Sequence, residues 1–494
     1  MVERPLPAFR PPTIADAERA YREGRRTPGQ VCDAALAAVA ASDRDDPPLR
    51  AVIRTIDERA RRDADASTER WQRGQPLSPL DGVPILIKDN TDVAGVPTTN
   101  GTVLDFPVPQ RDASVVERLA AAGAVLIGKA NLHEIGAGTT GINPHHGTAR
   151  NPHDPRRWCG GSSSGSASGV AAGLVPMAVA TDAGGSVRAP AAFVGAVGLK
   201  PTFGRISRLG MSILCDTLDT IGPIAHTCAD AALSLCAMAG VHPDDDETWD
   251  QPPLPGYEQA MAQLAAPVAG LRIGVTRSLF EHRRVDPRVA ACVARAADAL
   301  ADAGAVLADV EVPDIDTCLV VGLVLLGAEG PSGLEELLLD NLSRLGADLQ
   351  VLLLCGEHVS ARDYLKAQRA RNLVRRGWRA LFDQVDLVLM PAAGIPAGVI
   401  RRDALATGEI DEETSARAVA CTFPSNLTGY PAVSVPCGRV DEMPVSAQLV
   451  APAWQELRAL RAGAALERSG VYHPPAPPGP LVRRRHPLKG RPVR

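Results

Sequence analysis

The sequence predicts an α/β fold: a large mixed central β-sheet covered by helices on both faces. Three observations predict it. Short apolar runs of strand length alternate with helical stretches along much of the chain. Runs such as VPILIK (83–88) and AVLIGKAN (124–131) are apolar on successive positions, as in strands buried on two faces. Finally, 45% of the 494 residues are hydrophobic, which suffices for a large core. Strands separated by helices further predict a largely parallel arrangement.

The elements follow in order. Residues 13–42 read as two helices, IADAERAYREG and TPGQVCDAALAAVAAS, the second capped by Thr27 with Pro28 at its first position. AVIRTI (51–56) reads as a strand and 57–74 as a charged surface helix, with a turn-rich lead-in at 76–84. After the strand at 83–88 come a helix at 114–123 and a strand at 124–131. Residues 145–169, rich in His, Asn, Pro, Gly and Ser, read as loop. SGVAAGLVPMAVATD (168–182) reads as a helix end, a break at Pro176 and a short strand. LRIGVT (271–276), a helix from Asp286 to Gly304 and AVLADVEV (305–312) form a strand–helix–strand unit. DLVLMP (386–391), PAVSVPCG (431–438) and PVSAQLVAP (444–452) complete the strands. No internal repeat is present. The expected organisation is an N-terminal helical segment (1–75) packed on the core, one catalytic α/β unit (76–473) with a variable insert at about 315–370, and a flexible Pro/Arg-rich tail (474–494). The acidic, proline-rich stretch at 240–268 reads as a surface loop.

Bulk properties exclude several classes. Lys and Arg number 52 against 57 Asp and Glu, and aromatics are 3%, so neither a basic face nor stacking platforms for nucleic acid are expected. The N-terminus has no apolar signal core, and the longest apolar run, Cys318 to Ala328, is too short to span a bilayer, so no membrane partner is expected. Ten cysteines form no CxxC or CxxH pair, and most lie in apolar runs, Cys355 in VLLLCGEH among them. They read as buried hydrophobes in a reducing, cytoplasmic setting, with no metal site.

The chemistry concentrates in 158–202. Two Gly/Ser islands, GGSSSGS (160–166) and DAGGSVR (182–188), flank an apolar helix-then-strand pattern. Neither GxxxxGK[ST] nor a GxGxxG after a strand is present, so a phosphate-cradling loop is not indicated. A flexible linker would not run directly into packed apolar residues. The small residues Ala183, Gly184, Gly185 and Ser186 instead form a turn that leaves N–H groups free to point at one spot, as an oxyanion requires. Ser186 closes that turn and could attack a carbonyl held there. Its base is left open by the residues alone. His145, His146 and His153 precede the first island, but nothing supplies an acidic orienter. Lys88 ends the apolar run VPILIK, either as a snorkelling lysine or as a buried, neutral base.

Taken together, these segments resemble the amidase signature hydrolases. The resemblance runs from about Leu80 to Gly222 and again from about Asp386 to Arg468. It rests on GVPILIKDN (82–90), GAVLIGKANLHEIGAG (123–138), ARNPHDP (149–155), GGSSSGSASGVAAG (160–173), ATDAGGSVRAPAAFVGAVGLKPTFGR (180–205), NLTGYPAVSVPCG (426–438) and PVSAQLV (444–450). It implies the amidase signature fold and a Ser–cis-Ser–Lys triad: Lys88 as base, Ser162 as bridging serine after a cis peptide, Ser186 as nucleophile. Ser163 and Ser164 are the rivals for the bridging role. By the same resemblance Ala183 to Ser186 supply the oxyanion N–H groups, Asp182, Arg188 and Ser163 support the site, and Gly136, Ala137, Gly138 and Thr139 line the acyl pocket. Cys159, where relatives carry proline or another small residue, is expected to be an inert packed thiol. No metal or organic cofactor is implied. The expected activity is hydrolysis of carboxylic amides, extending to aryl esters or carbamates. The alternative is the glutamine-hydrolysing component of a tRNA-dependent amidotransferase. The partner is a small-molecule amide; a homodimer is expected by analogy. The pocket's specificity is expected from 136–146, 211–216 and 315–370.

Overall fold

A computed structural model describes residues 13–330, 334–409 and 411–472; the tail at 474–494 lies outside the described residues. Its strands are β1 (Val52–Thr55), β2 (Pro84–Lys88), β3 (Val125–Ala130), β4 (Arg150–Asn151), β5 (Asp154–Trp158), β6 (Met177–Asp182), β7 (Val197–Lys200), β8 (Thr220–Ala225), β9 (Arg272–Val275), β10 (Val306–Asp309), β11 (Leu387–Pro391), β12 (Ala432–Val440) and β13 (Met443–Val450). Eleven of them form one mixed sheet in the order β1-β3-β2-β6-β8-β7-β12-β13-β11-β9-β10, while β4 and β5 pair apart from it. The expected α/β class and mixed central sheet are present.

Side-chain alternation explains why the sheet is covered on both sides. On β2, Ile85 and Ile87 join one core cluster and Leu86 another. On β6, Met177 and Val179 split from Ala178 and Ala180 in the same way. On β11, Leu387 and Leu389 enter the first cluster while Val388 and Met390 enter a third, built around the insert. A two-fold side-chain period places each such set on opposite faces.

The sheet is less parallel than its strand–helix rhythm predicts. β3–β2, β2–β6, β11–β9 and β9–β10 are parallel, but the remaining neighbours, from β6 through β11 and at the β1 edge, are antiparallel. One reason is that β12 and β13 are joined directly by Asp441-Glu442, both at positive φ (50° and 65°), the backbone of a two-residue hairpin turn. No helix crosses between them.

The N-terminal segment is not merely packed on the core, because β1 extends the sheet by pairing with β3. The capping at Thr27 takes the reciprocal form: Thr27 Oγ1 accepts from Gln30 N and the Gln30 side chain accepts from Thr27 N. The 145–169 stretch holds more structure than its composition suggests, with β4, β5 and the start of the helix Ser164–Ala171. Likewise the helix Tyr257–Ala265 lies within 240–268. The insert is helical, including Ile315–Glu329, Ala347–Gly356 and Ala361–Phe382. Its apolar helices cannot bury every face, so Val320, Leu323, Val351 and Leu354 are exposed, and Cys355 is exposed rather than buried. All ten cysteines are free thiols. No helix among the described residues is long and apolar enough to cross a membrane.

Candidate active site

Parallel neighbours β2 and β6 bring their carboxyl ends to the same edge of the sheet. Such edges are where open α/β sheets hold ligands. β2 ends on Lys88, and β6 ends on Asp182, which opens the turn Ala183–Val187 before the helix Arg188–Val194. The helix Ser164–Ala171 packs alongside β2 and β6, and the Gly160–Ser163 loop leads into it.

Lys88 is fully buried. Its Nζ donates to Ser162 Oγ at 2.7 Å and to Thr181 Oγ1 at 2.7 Å. Burial pushes its pKa down from the ordinary lysine value to about 7, against the opposing pull of the Asp219 and Asp182 carboxylates. The Gly161–Ser162 peptide is cis. Ser162 O accepts from His133 N at 2.9 Å, and Gly161 N donates to Thr139 O at 2.7 Å. Ser163 turns away from Lys88: its Oγ exchanges hydrogen bonds with the backbone of Thr181. Ser164 Oγ has no partner among the described residues.

Ser186 is half-buried, and no side-chain hydrogen bond engages its hydroxyl among the described residues. The expected oxyanion donors divide. Gly185 N–H is already committed, donating to Asp182 Oδ1 at 2.8 Å, as Val187 N–H does to Oδ2 at 3.1 Å. This corrects the expectation that all four N–H groups of the turn are free. A carboxylate opening a tight turn captures the nearest N–H groups. Those of Ala183, Gly184 and Ser186 have no partner among the described residues.

The turn is braced from behind. Asp182 and Arg188, both fully buried, form a bidentate pair at 2.9 and 3.0 Å. Arg188 also donates to Thr422 O, Ser425 Oγ, Gln448 Oε1 and Asn426 Oδ1. Burial works against the Asp182 charge, but the Arg188 guanidinium and the Asn426 amide hold its carboxyl well below the usual range. Thr422 Oγ1 donates to Gly184 O at 2.6 Å, and an added Cβ on Gly185, at φ 134°, would overlap that hydroxyl. Phe423 lies between two glycines: a Cβ on Gly184 would come 2.7 Å from its ring, and one on Gly322 would overlap it.

The segment Gly136–Thr139 lies against the first island. A Cβ on Gly136 would stand 3.7 Å from Ser162 Oγ, and one on Gly161 would come 2.6 Å from Gly138 O. The missing Gly138 side chain leaves room for the His133 ring, which contacts Asp348 of the insert. Glu134 Oε2 accepts from Gly346 N at 2.7 Å, so the insert is tied to this loop.

The three histidines raised as rival bases are engaged elsewhere: His145 with Glu134, His146 with Thr102 O, and His153 with Val194 O. Cys159 is buried, donates to Ala149 O, and burial pushes its thiol far up. Sequence reasoning gave no role to Thr181, Asn90, Thr422, Phe423, Asn426 or Asp219. Thr181 and Asn426 stand inside matched motifs, directly before Asp182 and at the start of NLTGYP, and position alone could have flagged them.

The chain belongs to the amidase family, whose model matches residues 33–460. It is 36% identical over 492 residues to the glutamyl-tRNA(Gln) amidotransferase A-subunit of Chloroflexus aurantiacus, covering 94% of this chain and 98% of that protein. It is 37% identical over 469 residues to a fatty acid amide hydrolase of Medicago truncatula, covering 93% of this chain and 76% of that protein. Among solved structures, the native peptide amidase of Stenotrophomonas maltophilia superposes with a TM-score of 0.83 at 31% identity, covering 94% and 99% of the two chains.

Proposed function

We propose that this chain hydrolyses carboxylic amides through an acyl-enzyme on Ser186, with Ser162 as proton relay and Lys88 as base. The observation that carries the reading is the fully buried Lys88 amine, 2.7 Å from Ser162 Oγ and poised near neutrality. A lysine near pKa 7 is uncharged often enough at neutral pH to accept a proton. Ser186 attacks the amide carbon as its proton passes to Ser162 and that of Ser162 passes to Lys88. The carbonyl oxygen takes the electron pair, and the free N–H groups of Ala183, Gly184 and Ser186 stabilise it. Gly185 contributes by fixing the turn through Asp182. The proton held on Lys88 returns through Ser162 to the leaving nitrogen. Water then attacks the acyl-enzyme by the same route and releases the acid. Gly136, Ala137, Gly138 and Thr139 border the Ser162 side of the pocket. Ala183 and Ile135 pack in one apolar cluster with Leu214, Cys318 and Leu325 of the insert side, which fixes the turn against the insert.

A second reading is the glutamine-hydrolysing component of a tRNA-dependent amidotransferase. It is favoured by the near full-length match to the Chloroflexus protein. One experiment separates them. The purified chain, alone, is assayed on a panel of amides, anilides, aryl esters, carbamates and glutamine, beside Ser186→Ala. Turnover by the isolated wild type that the variant lacks supports the free-standing amidase. Glutamine hydrolysis that appears only with partner proteins supports the second reading, and activity unchanged in Ser186→Ala refutes both.

A further inference from the structure

A neutral lysine amine carries two N–H bonds and one lone pair. To take the Ser162 proton, Lys88 must aim the lone pair at Ser162 Oγ and place its N–H bonds elsewhere. The contact at 2.7 Å to Ser162 Oγ does not by itself set that orientation, because the amine rotates about its last carbon bond. A second contact sets it: Thr181 Oγ1, also at 2.7 Å. That contact is useful only if the hydroxyl accepts. Were Thr181 to donate into the lone pair, the base would be occupied.

Asn90 acts on this choice. Its Nδ2 donates to the same Thr181 Oγ1 at 3.2 Å and to Ser212 O at 3.5 Å, while its Oδ1 accepts from Thr91 Oγ1 at 3.4 Å. A backbone carbonyl can only accept, so the contact to Ser212 holds the amide with its N–H side toward Thr181. With Asn90 donating to one lone pair of the hydroxyl oxygen, the other is open to a Lys88 N–H. Lys88, Asn90 and Thr181 are all nearly or fully buried, so water does not compete for these positions. Ser212 belongs to the segment 211–216, and its N–H donates to Asn90 O at 2.8 Å, which ties the substrate side to the base.

We propose that Thr181, held as an acceptor by Asn90, is a positioning residue that turns the lone pair of Lys88 toward Ser162. This rests on the amide-hydrolase reading above, in which Lys88 is the base. Thr181 touches no substrate and exchanges no proton.

The test uses the full chain and an alkyl fluorophosphonate, and so needs no knowledge of the natural substrate. The Ser186 Oγ–P bond forms, fluoride leaves with the P–F electron pair, and the serine proton passes through Ser162 to Lys88. Labelling rates are measured from about pH 5 to about pH 9, a range that brackets a base near neutrality. Thr181→Val keeps the shape and removes the acceptor. It should label about tenfold more slowly on the plateau, the worth of one good hydrogen bond. Its acid limb should also move to lower pH, because an ammonium that has lost an acceptor gives up its proton more readily. The Asp219 and Asp182 carboxylates, which oppose that loss, are unchanged in every variant. Thr181→Ser should restore the rate to within about threefold and return the limb. Thr181→Ala, free of the added methyl, should behave as Val does if Val folds poorly. Wild-type rates in Val or Ala, or a slower rate with an unmoved limb, overturn the proposal. So does a Ser variant as slow as Val. If wild-type Ser186 is not labelled at all, the hydrolase reading itself fails, an outcome distinct from these.

Discussion

Arg188→Met removes the guanidinium behind the turn that carries Ser186 while keeping most of its volume. Arg188 is fully buried and donates to Asp182, Thr422, Ser425, Gln448 and Asn426, so the change strips one side of a dry network. Breaking a buried pair from one side costs roughly 3–5 kcal/mol, because the remaining charge is stranded. Here Asp182 keeps the Gly185 N–H, the Val187 N–H and the Asn426 amide. That places the loss near the lower end, about 3 kcal/mol. In the wild type the depressed Asp182 carboxyl adds stability that is fully present above its unfolded pKa of about 3.9 and is lost only below it. In the variant the stranded carboxyl has a raised pKa, so its penalty is largest at neutral pH and shrinks as pH falls through that value. Asp182→Asn added to Arg188→Met should recover at least about 1 kcal/mol. Urea unfolding followed by tryptophan fluorescence, at neutral and mildly acidic pH, measures all three proteins. A loss under about 1 kcal/mol, a penalty that grows on acidification, or no recovery in the double variant would refute this account of the turn.

Further outcomes follow from the same geometry. As the proposed base, Lys88 would act only uncharged, so kcat/KM should rise about tenfold per pH unit up to about 7 and level off above it; an acid limb two units higher contradicts its burial. Gly322→Ala would ordinarily favour its helix by about 1 kcal/mol. Because its Cβ overlaps Phe423, which packs on Gly184, thermal unfolding should show no gain and kcat should fall. Gly185→Ala meets both a φ of 134° and the Thr422 hydroxyl, and steady-state assays should show at least about a hundredfold loss in kcat, comparable to losing an oxyanion donor.

The fold class was legible in the sequence because buried strands and amphipathic helices have different periods. Strand direction was not. β7 and β8 each contain Gly or Pro, and no helix separates them, so neither their pairing nor their reversal leaves a period to detect. The turn around Ser186 was legible from its run of small residues. The commitment of Gly185 N–H was not, since it depends on how far the Asp182 carboxylate reaches back over the turn. Lys88 alone was ambiguous, because an apolar strand ending in lysine describes both a snorkelling and a buried side chain. Only the packing of Ser162 and Thr181 around its amine separates the two. Asn90 stands inside the matched motif GVPILIKDN, but its contact with Thr181 lies 91 positions away in sequence, and no local pattern marks Phe423.

The central claim is that Ser186 is the nucleophile, and covalent labelling tests it most directly. The wild-type protein is treated with an alkyl fluorophosphonate, digested, and the modified residue located by tandem mass spectrometry. The account predicts one adduct on the peptide carrying DAGGSVR, at Ser186, and none in Ser186→Ala. An adduct on another serine, or labelling that persists in Ser186→Ala, would contradict it.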